Sequence, residues 1–300
     1  MTTLERATVA GEASEEAVVV TTDPDAAPSP RGTRGRRQGA FGRMRGDIPG
    51  WLVTVLGLAG VALLLGGWWL VAAAMGSDSF LLPTPLETWD AGVELYRSGD
   101  LVADFWASIR RIAIGYGISI TIGVVVGLAI PSFRSAEAFV EPQVALLRYI
   151  PASALTPLFL LWLGIDEAPK IALIVVGTVF FNVLMVADVA RAVPQELVNA
   201  AYTLGAGRMR VLRRVIFPYS WPGIIDVARV NLAAGWLMLV VAELLAAEQG
   251  LAFRVVRAQR FRAVDTMFAL LIVFAVIGLV SDLGLRWMRR RTAPWSEGSR

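Results

Sequence analysis

The sequence predicts an all-α integral membrane protein with six transmembrane helices. Hydrophobic residues make up 56% of the 300 residues and charged residues only 18%, whereas soluble globular chains contain about 45–50% and about 25%. With a mean hydropathy of +0.59, the chain has few charged groups to keep a soluble surface hydrated. Apolar stretches of about 20 residues, enough for one helical crossing of the hydrocarbon core, recur along the sequence.

Composition also excludes several kinds of chemistry. The chain has no Cys and no His, which rules out thiol catalysis, disulfides, Cys/His zinc sites and imidazole acid–base catalysis. The net charge is +3 and the isoelectric point about 9.7. This mild basicity requires no nucleic-acid partner, because the cytoplasmic loops of membrane proteins are rich in Lys and Arg. The partner that composition does imply is the lipid bilayer.

Residues 1–47 are predicted to form a disordered cytoplasmic tail. Six acidic residues and three prolines come first, and a run of arginines then leads to the first apolar segment. This composition is typical of disorder, and a basic stretch next to a bilayer most often sets topology. The apolar segment that follows is too long and begins too late for a signal peptide.

The first two spans are predicted at 51–75 and 112–130. The first contains no charged residue and is the clearest of the six. The second is predicted to end at Pro131, since proline interrupts helices. Gly123 and Gly127 form a G-x-x-x-G pair within it, a pattern that allows close contact between two helices.

The third span, 144–163, is predicted to be a broken helix. Arg148, Pro151 and Pro157 interrupt its apolar run, and prolines inside a helix break or kink it. Irregular backbone at membrane depth is tolerated only where protein or a water-filled cavity faces it. This span is therefore expected to line a cavity.

The last three spans are predicted at 171–187, 223–247 and 267–285. Asn182 lies inside the first of them and is expected to make an interhelical hydrogen bond only. Glu243 lies near the outer end of the next. The arginine bias of the connecting segments places both termini in the cytoplasm, although a group of outer arginines weakens it. That outer group comprises Arg254, Arg257, Arg260 and Arg262.

A short basic segment, 199–218, joins the fourth and fifth spans. Residues 195–204 are predicted to form a helix that Gly205 ends, and residues 207–216 a second helix that Pro218 ends. Val211, Leu212, Val215 and Ile216 share one face of the second helix, and Arg210, Arg213 and Arg214 lie away from it. Taken alone, the segment is an amphipathic helix on anionic lipid, a topology determinant or a DNA-binding motif. DNA binding is disfavoured because the segment is tethered between two membrane spans.

The spacing within this segment resembles the EAA loop of ABC-importer permeases. That pattern runs E-A-A, three residues, G, nine residues, I-x-L-P. Here Ala200 and Ala201 are followed after three residues by Gly205 and, nine residues later, by V-x-F-P ending at Pro218. The chain departs from the pattern with Asn199 in place of Glu, which removes a charge, and with two mild apolar replacements near the end.

Three further stretches resemble the nitrate/sulfonate/taurine branch of those permeases. They are ASIRRIAIGYG (107–117), RYIPASALTPLFLLWLGIDEAPKI (148–171) and GWLMLVVAELLAAEQGLAF (235–253). The resemblance covers about residues 80–300 and implies the type I ABC-importer permease fold with a cytoplasmic coupling-helix loop. The predicted divisions are the tail 1–47, the first transmembrane helix with its outer loop 48–105, a permease core with five transmembrane helices 106–291, and a cytoplasmic tail 292–300.

The resemblance implies that the loop contacts a separate ABC ATPase subunit. The residues expected to make this coupling contact are Asn199, Ala200, Ala201, Gly205, Arg208, Arg210, Arg213 and Pro218. The sequence has no G-x-x-x-x-G-K-[ST] loop. ATP and Mg are therefore expected on the partner, with no cofactor in this chain, which is not expected to be an enzyme.

The resemblance also implies import by alternating access in a bacterial plasma membrane. A second permease copy, as a homodimer, would complete the translocation path, and an extracytoplasmic solute-binding protein would dock on 76–105 and 248–265. The broken third span supplies the path candidates Arg148, Tyr149, Pro151, Ser153, Thr156 and Pro157. Arg148 would pair with an anion or with Glu243, or extend to the cytoplasmic interface. The outer arginines would attract an anionic solute or form a solvated basic loop.

Several alternatives stay open at this point. The solute would be a sulfonate, taurine or nitrate, and bicarbonate or a pyrimidine or thiamine precursor are the alternatives within the branch. A secondary transporter would need intramembrane carboxylates or ion sites, usually in repeated halves, and the sequence shows no repeat. A membrane-embedded enzyme would lack His and Cys as base or ligand. A membrane anchor without transport is the last alternative.

Overall fold

The computed structural model describes residues 49–76 and 81–295, and the described residues form helices joined by short turns, with no strand among them. The predicted tail 1–47 and the residues after 295 lie outside the described part. By internal contacts the chain divides within its first helix, into Met1–Leu58 and Ala59–Arg300. The described part of the first unit is the N-terminal portion of that helix, and all packing below concerns the second unit.

The described chain forms eleven α-helices. They are α1 (Gly50–Met75), α2 (Pro85–Arg97), α3 (Asp100–Ser132), α4 (Arg134–Leu147), α5 (Thr156–Leu163), α6 (Glu167–Arg191), α7 (Gln195–Thr203), α8 (Arg208–Val211), α9 (Phe217–Ala246), α10 (Leu251–Arg260) and α11 (Val264–Thr292). A 3₁₀ turn, Ala152–Leu155, precedes α5, and a π segment, Leu212–Ile216, joins α8 to α9. By length and composition, five helical segments of the described chain are suited to cross a membrane, or six if the bent pair described next is one span.

The predicted break in the third span is confirmed. Helix α4 ends at Leu147, and the chain resumes in the 3₁₀ turn and α5 at an angle of 82° to it. Pro151 stands before the 3₁₀ turn, and Pro157 falls in the first turn of α5. A proline is tolerated in a first turn because the backbone N–H there has no intrahelical partner. The two prolines thus allow the second helical segment to start in a new direction.

Two boundaries differ from the sequence prediction. Helix α3 begins at Asp100 and so extends well beyond the apolar window that suggested a span from residue 112. It also continues through Pro131 to Ser132, and the turn comes at Phe133, whose backbone is extended. Helix α2 lies in the predicted outer loop, where Thr84 and Glu87 form a reciprocal capping box that starts it.

Helices α3, α6 and α9 form the centre of the bundle. The glycine pair of α3 faces α6: a Cβ on Gly123 would lie 2.6 Å from the Cβ of Asn182, and one on Gly127 would lie 2.6 Å from the carbonyl oxygen of Val183. Only hydrogen fits at these two positions, so the glycines set the close approach of the helices. The G-x-x-x-G contact is therefore confirmed.

A buried polar chain crosses the same three helices. The Asn182 side chain donates to Ser119 Oγ at 2.9 Å and accepts from Asn231 Nδ2 at 2.9 Å. Thr178 Oγ1 lies 2.7 Å from Ser119 Oγ. Hydrogen bonds between helices are favourable in hydrocarbon because the alternative is an unsatisfied polar group. The interhelical hydrogen bonds predicted for Asn182 are confirmed.

Ion pairs and hydrogen bonds show which segments share an end of the bundle. At the end where the segment between α6 and α9 lies, here called the loop end, Arg191 pairs with Glu141 of α4, and Trp221 Nε1 donates to Thr292 Oγ1 at 2.9 Å. At the opposite end, here called the far end, residues of α3, α6, α9 and α10 meet through charged side chains. This grouping agrees with the alternation expected of six spans.

The close α3–α6 contact predicts that Gly127→Ala destabilises the protein by about 1–3 kcal/mol, since the new methyl group would meet backbone that cannot move aside. The measurement is unfolding in detergent by SDS titration. Gly117→Ala on the same helix is the matched control, because nothing lies within 4 Å of its Cβ. Equal stability of the two variants would contradict this account of the contact.

Candidate functional site

The segment between α6 and α9 begins with α7, which ends as the sequence predicts. Gly205 has a φ of +76°, a conformation that glycine adopts without strain. The N–H of Gly205 bonds to the carbonyl of Tyr202 at 2.9 Å, and the N–H of Ala206 to that of Ala201 at 3.0 Å. This pair of bonds is a Schellman motif. It turns the chain sharply between α7 and α8.

The prediction that Pro218 ends the second helix is wrong. The chain continues from α8 through the π segment into α9 without a break, and Pro218 lies in the first turn of α9. The π segment is the physical reason. Its wider turn changes which carbonyls and N–H groups face each other, so the missing N–H of Pro218 falls where a helix can begin. Arg208 and Ala246 are thus the ends of one continuous helical rod.

The loop has a buried base and an exposed rim. Val211 is buried, and Leu212 and Ile216 pack against a core cluster that contains Leu128 and Val186. The exposed arginines are Arg208, Arg210, Arg213 and Arg214. The exposed apolar side chains beside them are Leu197, Tyr202, Leu204 and Met209, of which Leu204 is 88% exposed. The separation of apolar base from basic rim agrees with the sequence prediction.

The remaining residues of the predicted coupling set lie on or beside α7. Asn199 and Ala200 are exposed and Ala201 is half-buried. The Asn199 side-chain oxygen accepts a hydrogen bond from Gln195 Nε2 at 3.2 Å, one turn earlier. In place of an acid, the position therefore carries a neutral side chain tied to its own helix.

The structure spreads the six path candidates along the break of the third span. Arg148 Nη2 donates to the Tyr149 hydroxyl at 3.0 Å and its guanidinium lies 4.9 Å from the Tyr149 ring centre. Thr156 is buried, and its hydroxyl donates to the Ser153 carbonyl at 2.8 Å. The other candidates, Pro151, Ser153 and Pro157, are exposed like Arg148 and Tyr149. The suggested pairing of Arg148 with Glu243 is wrong, because Glu243 binds another arginine.

That arginine is Arg111, the centre of a buried ionic network at the far end. Its side chain is 3% exposed and Glu243 is 1% exposed. Arg111 Nη1 donates to Glu243 Oε1 at 2.9 Å, and its Nε and Nη2 donate to the two carboxylate oxygens of Glu167 at 2.7 Å each. Lys170 adds a bond to Glu167 at 3.1 Å. A bidentate arginine between two carboxylates satisfies the charges that burial would otherwise make costly.

A glycine turn completes the network between α9 and α10. The N–H of Ala252 donates to Glu243 Oε2, and the N–H of Leu251 to Ser108 Oγ, both at 2.9 Å. Gly250, with a φ of +136°, brings this backbone close: a Cβ there would lie 2.5 Å from both Glu243 carboxylate oxygens. The Ser108 hydroxyl in turn donates to Glu243 Oε1 at 2.6 Å, so one backbone N–H and one hydroxyl complete the hydrogen bonds of the buried acid.

One of the four outer arginines belongs to the same end of the bundle. Arg254 Nε donates to Asp104, and its Nη1 donates to Asp100 at 2.8 Å. Burial opposes its charge, but the hydrogen bonds and negative charges of Asp104 and Asp100 outweigh that effect and raise the pKa of Arg254 above its ordinary value. The expectation that Arg254 is part of a solvated basic loop is therefore wrong, and attraction of a solute by the group of four arginines stays a prediction. Arg257 and Arg260 are exposed.

Residues 119–294 match the family described as "Binding-protein-dependent transport system inner membrane component". The match covers more than half of the chain. The chain belongs to this family. It is 35% identical to the taurine transport system permease protein TauC of Escherichia coli, over 80% of this chain and 89% of that protein.

Further relatives agree with this assignment. The permease is 35% identical to a probable ABC transporter permease protein of Brucella abortus, over 81% of this chain and 96% of that protein. It is 31% identical to a putative aliphatic sulfonates transport permease protein of Bacillus subtilis, over 82% and 88%. The chain is an ABC-importer permease of the nitrate/sulfonate/taurine branch, as the resemblance implied, and a multi-pass protein of the inner membrane.

Solved structures confirm the type I ABC-importer permease fold. One is the MetNI methionine ABC transporter in inward-facing conformations, with a TM-score of 0.56 and 19% identity over 64% of this chain and 96% of that chain. Another is a bacterial ABC transporter involved in the import of the acidic polysaccharide alginate, with a TM-score of 0.55 and 18% identity over 81% and 96%.

Sequence reasoning missed the ionic network of the permease for two reasons. Arg111 stands one position before the apolar window of the second span, so hydropathy does not place it inside a helix of the bundle. Glu243 and Glu167 lie 132 and 56 residues away from it, and no local pattern joins them. The sequence does contain one signal of the network, which is the carboxylate of Glu243 inside an apolar span. A charge in such a place requires a partner.

The network predicts that Arg111→Gln destabilises the permease by about 3–5 kcal/mol, because it leaves the Glu243 carboxylate buried without its cation. Arg110→Gln is the control: that side chain is 63% exposed and lies 3.4 Å from Glu167, so its loss should cost less than about 1 kcal/mol. Unfolding in detergent measures both. Adding Glu243→Gln to Arg111→Gln should recover part of the loss, and equal effects of the two arginine variants would contradict the network.

Proposed function

We propose that this permease imports a small anionic solute by alternating access and that a separate ATPase drives it through the loop 195–218. The observation that carries the proposal is the exposed rim of this loop. Leu204 is almost fully exposed and stands among arginines such as Arg208 and Arg210, on a base that is packed into the core. Apolar and Arg side chains together are typical of protein contact surfaces.

The continuity of the helix supports a mechanical role for this rim. Arg208 lies at one end of the rod formed by α8, the π segment and α9, and Glu243 lies near the other end. A displacement of the rim by a partner therefore moves the whole rod. Through Glu243 and Arg111 the movement reaches α3 and α6 at the far end. In this proposal, Asn199, Ala200 and Ala201 position the rim, and Gly205 provides its sharp turn.

The proposed partners follow from the family and from the two ends of the bundle. The family description and the solved ABC transporters support an ATPase that holds ATP and Mg, and a binding protein outside the cell. The sequence has no phosphate-binding G-x-x-x-x-G-K-[ST] loop. The loop end is proposed to be cytoplasmic together with both termini. The far end, with the predicted docking segments 76–105 and 248–265, is proposed to receive the binding protein.

The names of the relatives support the choice of solute. They refer to taurine, to aliphatic sulfonates and, in a cyanobacterial relative 25% identical to this chain, to bicarbonate. Sulfonates and bicarbonate are small and negatively charged, and taurine carries a sulfonate group. A sulfonate, taurine or nitrate is the proposed solute, with bicarbonate or a pyrimidine or thiamine precursor as the alternative. The path is proposed to run between two copies of the permease along the broken span, with its exposed Arg148, Tyr149, Ser153 and Pro157.

Reconstitution tests the proposal as a whole. Proteoliposomes that contain the permease, its ATPase and its binding protein should accumulate radiolabelled taurine or alkanesulfonate only when ATP is inside with the ATPase. Nitrate and bicarbonate are tested in parallel. Uptake driven by an ion gradient without ATPase would indicate a secondary transporter, and absence of uptake for every solute would indicate an anchor without transport.

Charge reversal tests the coupling loop. The double variant Arg208→Glu/Arg210→Glu and the single variant Leu204→Asp should reach the membrane but lose at least about tenfold of ATP-driven uptake, because a handful of central contacts carry most of the energy of an interface. Arg134→Glu is the matched control at the same end, with a side chain that is 92% exposed and pairs only within its own helix. Loss of uptake in the control, or wild-type uptake in both test variants, would count against the loop as the ATPase contact.

A further inference from the structure

A second feature of the permease is a groove of about 730 Å³ between α9 and α11. Most of its wall is apolar, including Leu237, Leu271 and Phe274. The side chain of Val255, on α10, closes the wall toward the far end, and a charged group lies toward the loop end. The groove is thus amphipathic along its length.

The charged group contains an arginine whose hydrogen-bonding capacity is unused. Arg229 lines the groove and is 26% exposed. It forms two long ion pairs, with Asp282 Oδ1 at 3.5 Å and Asp226 Oδ1 at 3.9 Å, and makes no hydrogen bond with the residues that the structure describes. The same two aspartates hold Arg286 and Arg289 more closely, at 2.7 Å and 2.9 Å. Three arginines share two aspartates, so one positive charge is in excess, and Arg229 is the arginine held at the longest distances.

A second donor is buried in the wall of the groove. Trp236 lies on α9 and lines the groove, and its Nε1–H has no acceptor among the described residues. Seven residues separate it from Arg229, which corresponds to about 10 Å along a helix. A buried N–H without an acceptor is costly. The groove therefore offers one charged and one neutral donor to a molecule lying along α9.

The dimensions and polarity of the groove fit a phospholipid. From Arg229 to Leu244 the helix rises about 22 Å, at 1.5 Å for each of fifteen residues. One leaflet of the hydrocarbon core is about 15 Å deep, so the groove is long enough to hold an acyl chain that spans one leaflet. Gly278 on the opposite wall leaves room for it, because nothing lies within 4 Å of its Cβ position.

A transmembrane helix of a second copy fits less well. Helix α1 is the least buried of the described spans, but it contains no charged residue between Trp51 and Met75. It would cover the apolar wall and leave Arg229 without an anion. A phosphate group supplies the acceptors that α1 lacks.

We propose that an anionic phospholipid from the leaflet at the loop end occupies this groove. Its phosphate accepts hydrogen bonds from Arg229, a carbonyl of its ester region accepts from Trp236, and an acyl chain lies along Phe274 and Gly278. Bound in this way, the lipid fills the space between α9, which carries the coupling loop, and α11.

Native mass spectrometry of the purified full-length permease tests the proposal. In mixtures of phosphatidylglycerol and phosphatidylcholine, the wild type should retain phosphatidylglycerol preferentially. Arg229→Gln should reduce that retention about tenfold, the factor expected from loss of a charge-assisted hydrogen bond. Trp236→Phe should reduce it less. Gly278→Leu should reduce retention of both lipids, since its side chain fills the groove.

Two variants are matched controls. Arg291→Gln removes a charge from the same end but does not line the groove and pairs with neither of the two aspartates, and Gly284→Leu adds the same side chain to α11 outside it. Both should retain phosphatidylglycerol within about twofold of the wild type. Equal retention of the two lipids by the wild type overturns the proposal even if a variant fails to fold. A Gly278→Leu variant that keeps its lipid but loses its dimer would assign the groove to a second copy.

Discussion

Burial of Arg111 is the constraint on which the far end of the molecule depends. An unpaired guanidinium next to hydrocarbon is costly, so its neighbours must supply negative charge and acceptors. Glu243 and Glu167 do so from two different helices, and the N–H of Ala252 donates to Glu243 in turn. As a result the far ends of α3, α6 and α9 and the start of α10 are held together.

Much of the fold follows from local chemistry. The apolar windows predicted the five long helical segments suited to cross a membrane, and the two prolines around residues 151–157 predicted the bend, because proline acts on the backbone of its own helix. The glycine pair Gly123 and Gly127 predicted a close contact for the same reason, since absence of a side chain is visible in the sequence. Helix lengths were less predictable: α3 extends beyond its apolar window because Asp104 and Arg111 find partners that hydropathy does not register.

Some features of the candidate site could likewise be predicted from the sequence, and others could not. The turn at Gly205 and the separation of apolar base from arginine rim could be predicted, because both depend on residues a few positions apart. The roles of Glu243 and Arg254 could not, since their partners come from distant parts of the chain and only the folded bundle brings them together. The suggested pairing of Arg148 with Glu243 failed for the same reason, because Arg111 already binds Glu243. Ion pairs between residues far apart in the sequence are thus the part of the site that this sequence does not predict by itself.

The π segment at Leu212–Ile216 determines the direction in which the arginine rim faces. Each residue of an α-helix turns the chain by about 100°, so one residue more or fewer between rim and span would rotate the arginines to another side. A π turn absorbs an additional residue without breaking the rod. The π turn therefore sets the angle between the arginine rim and the apolar stripe that holds α9 in the bundle. A single insertion or deletion here would turn the rim to another side and would also move Leu212 and Ile216 relative to the core cluster against which they pack.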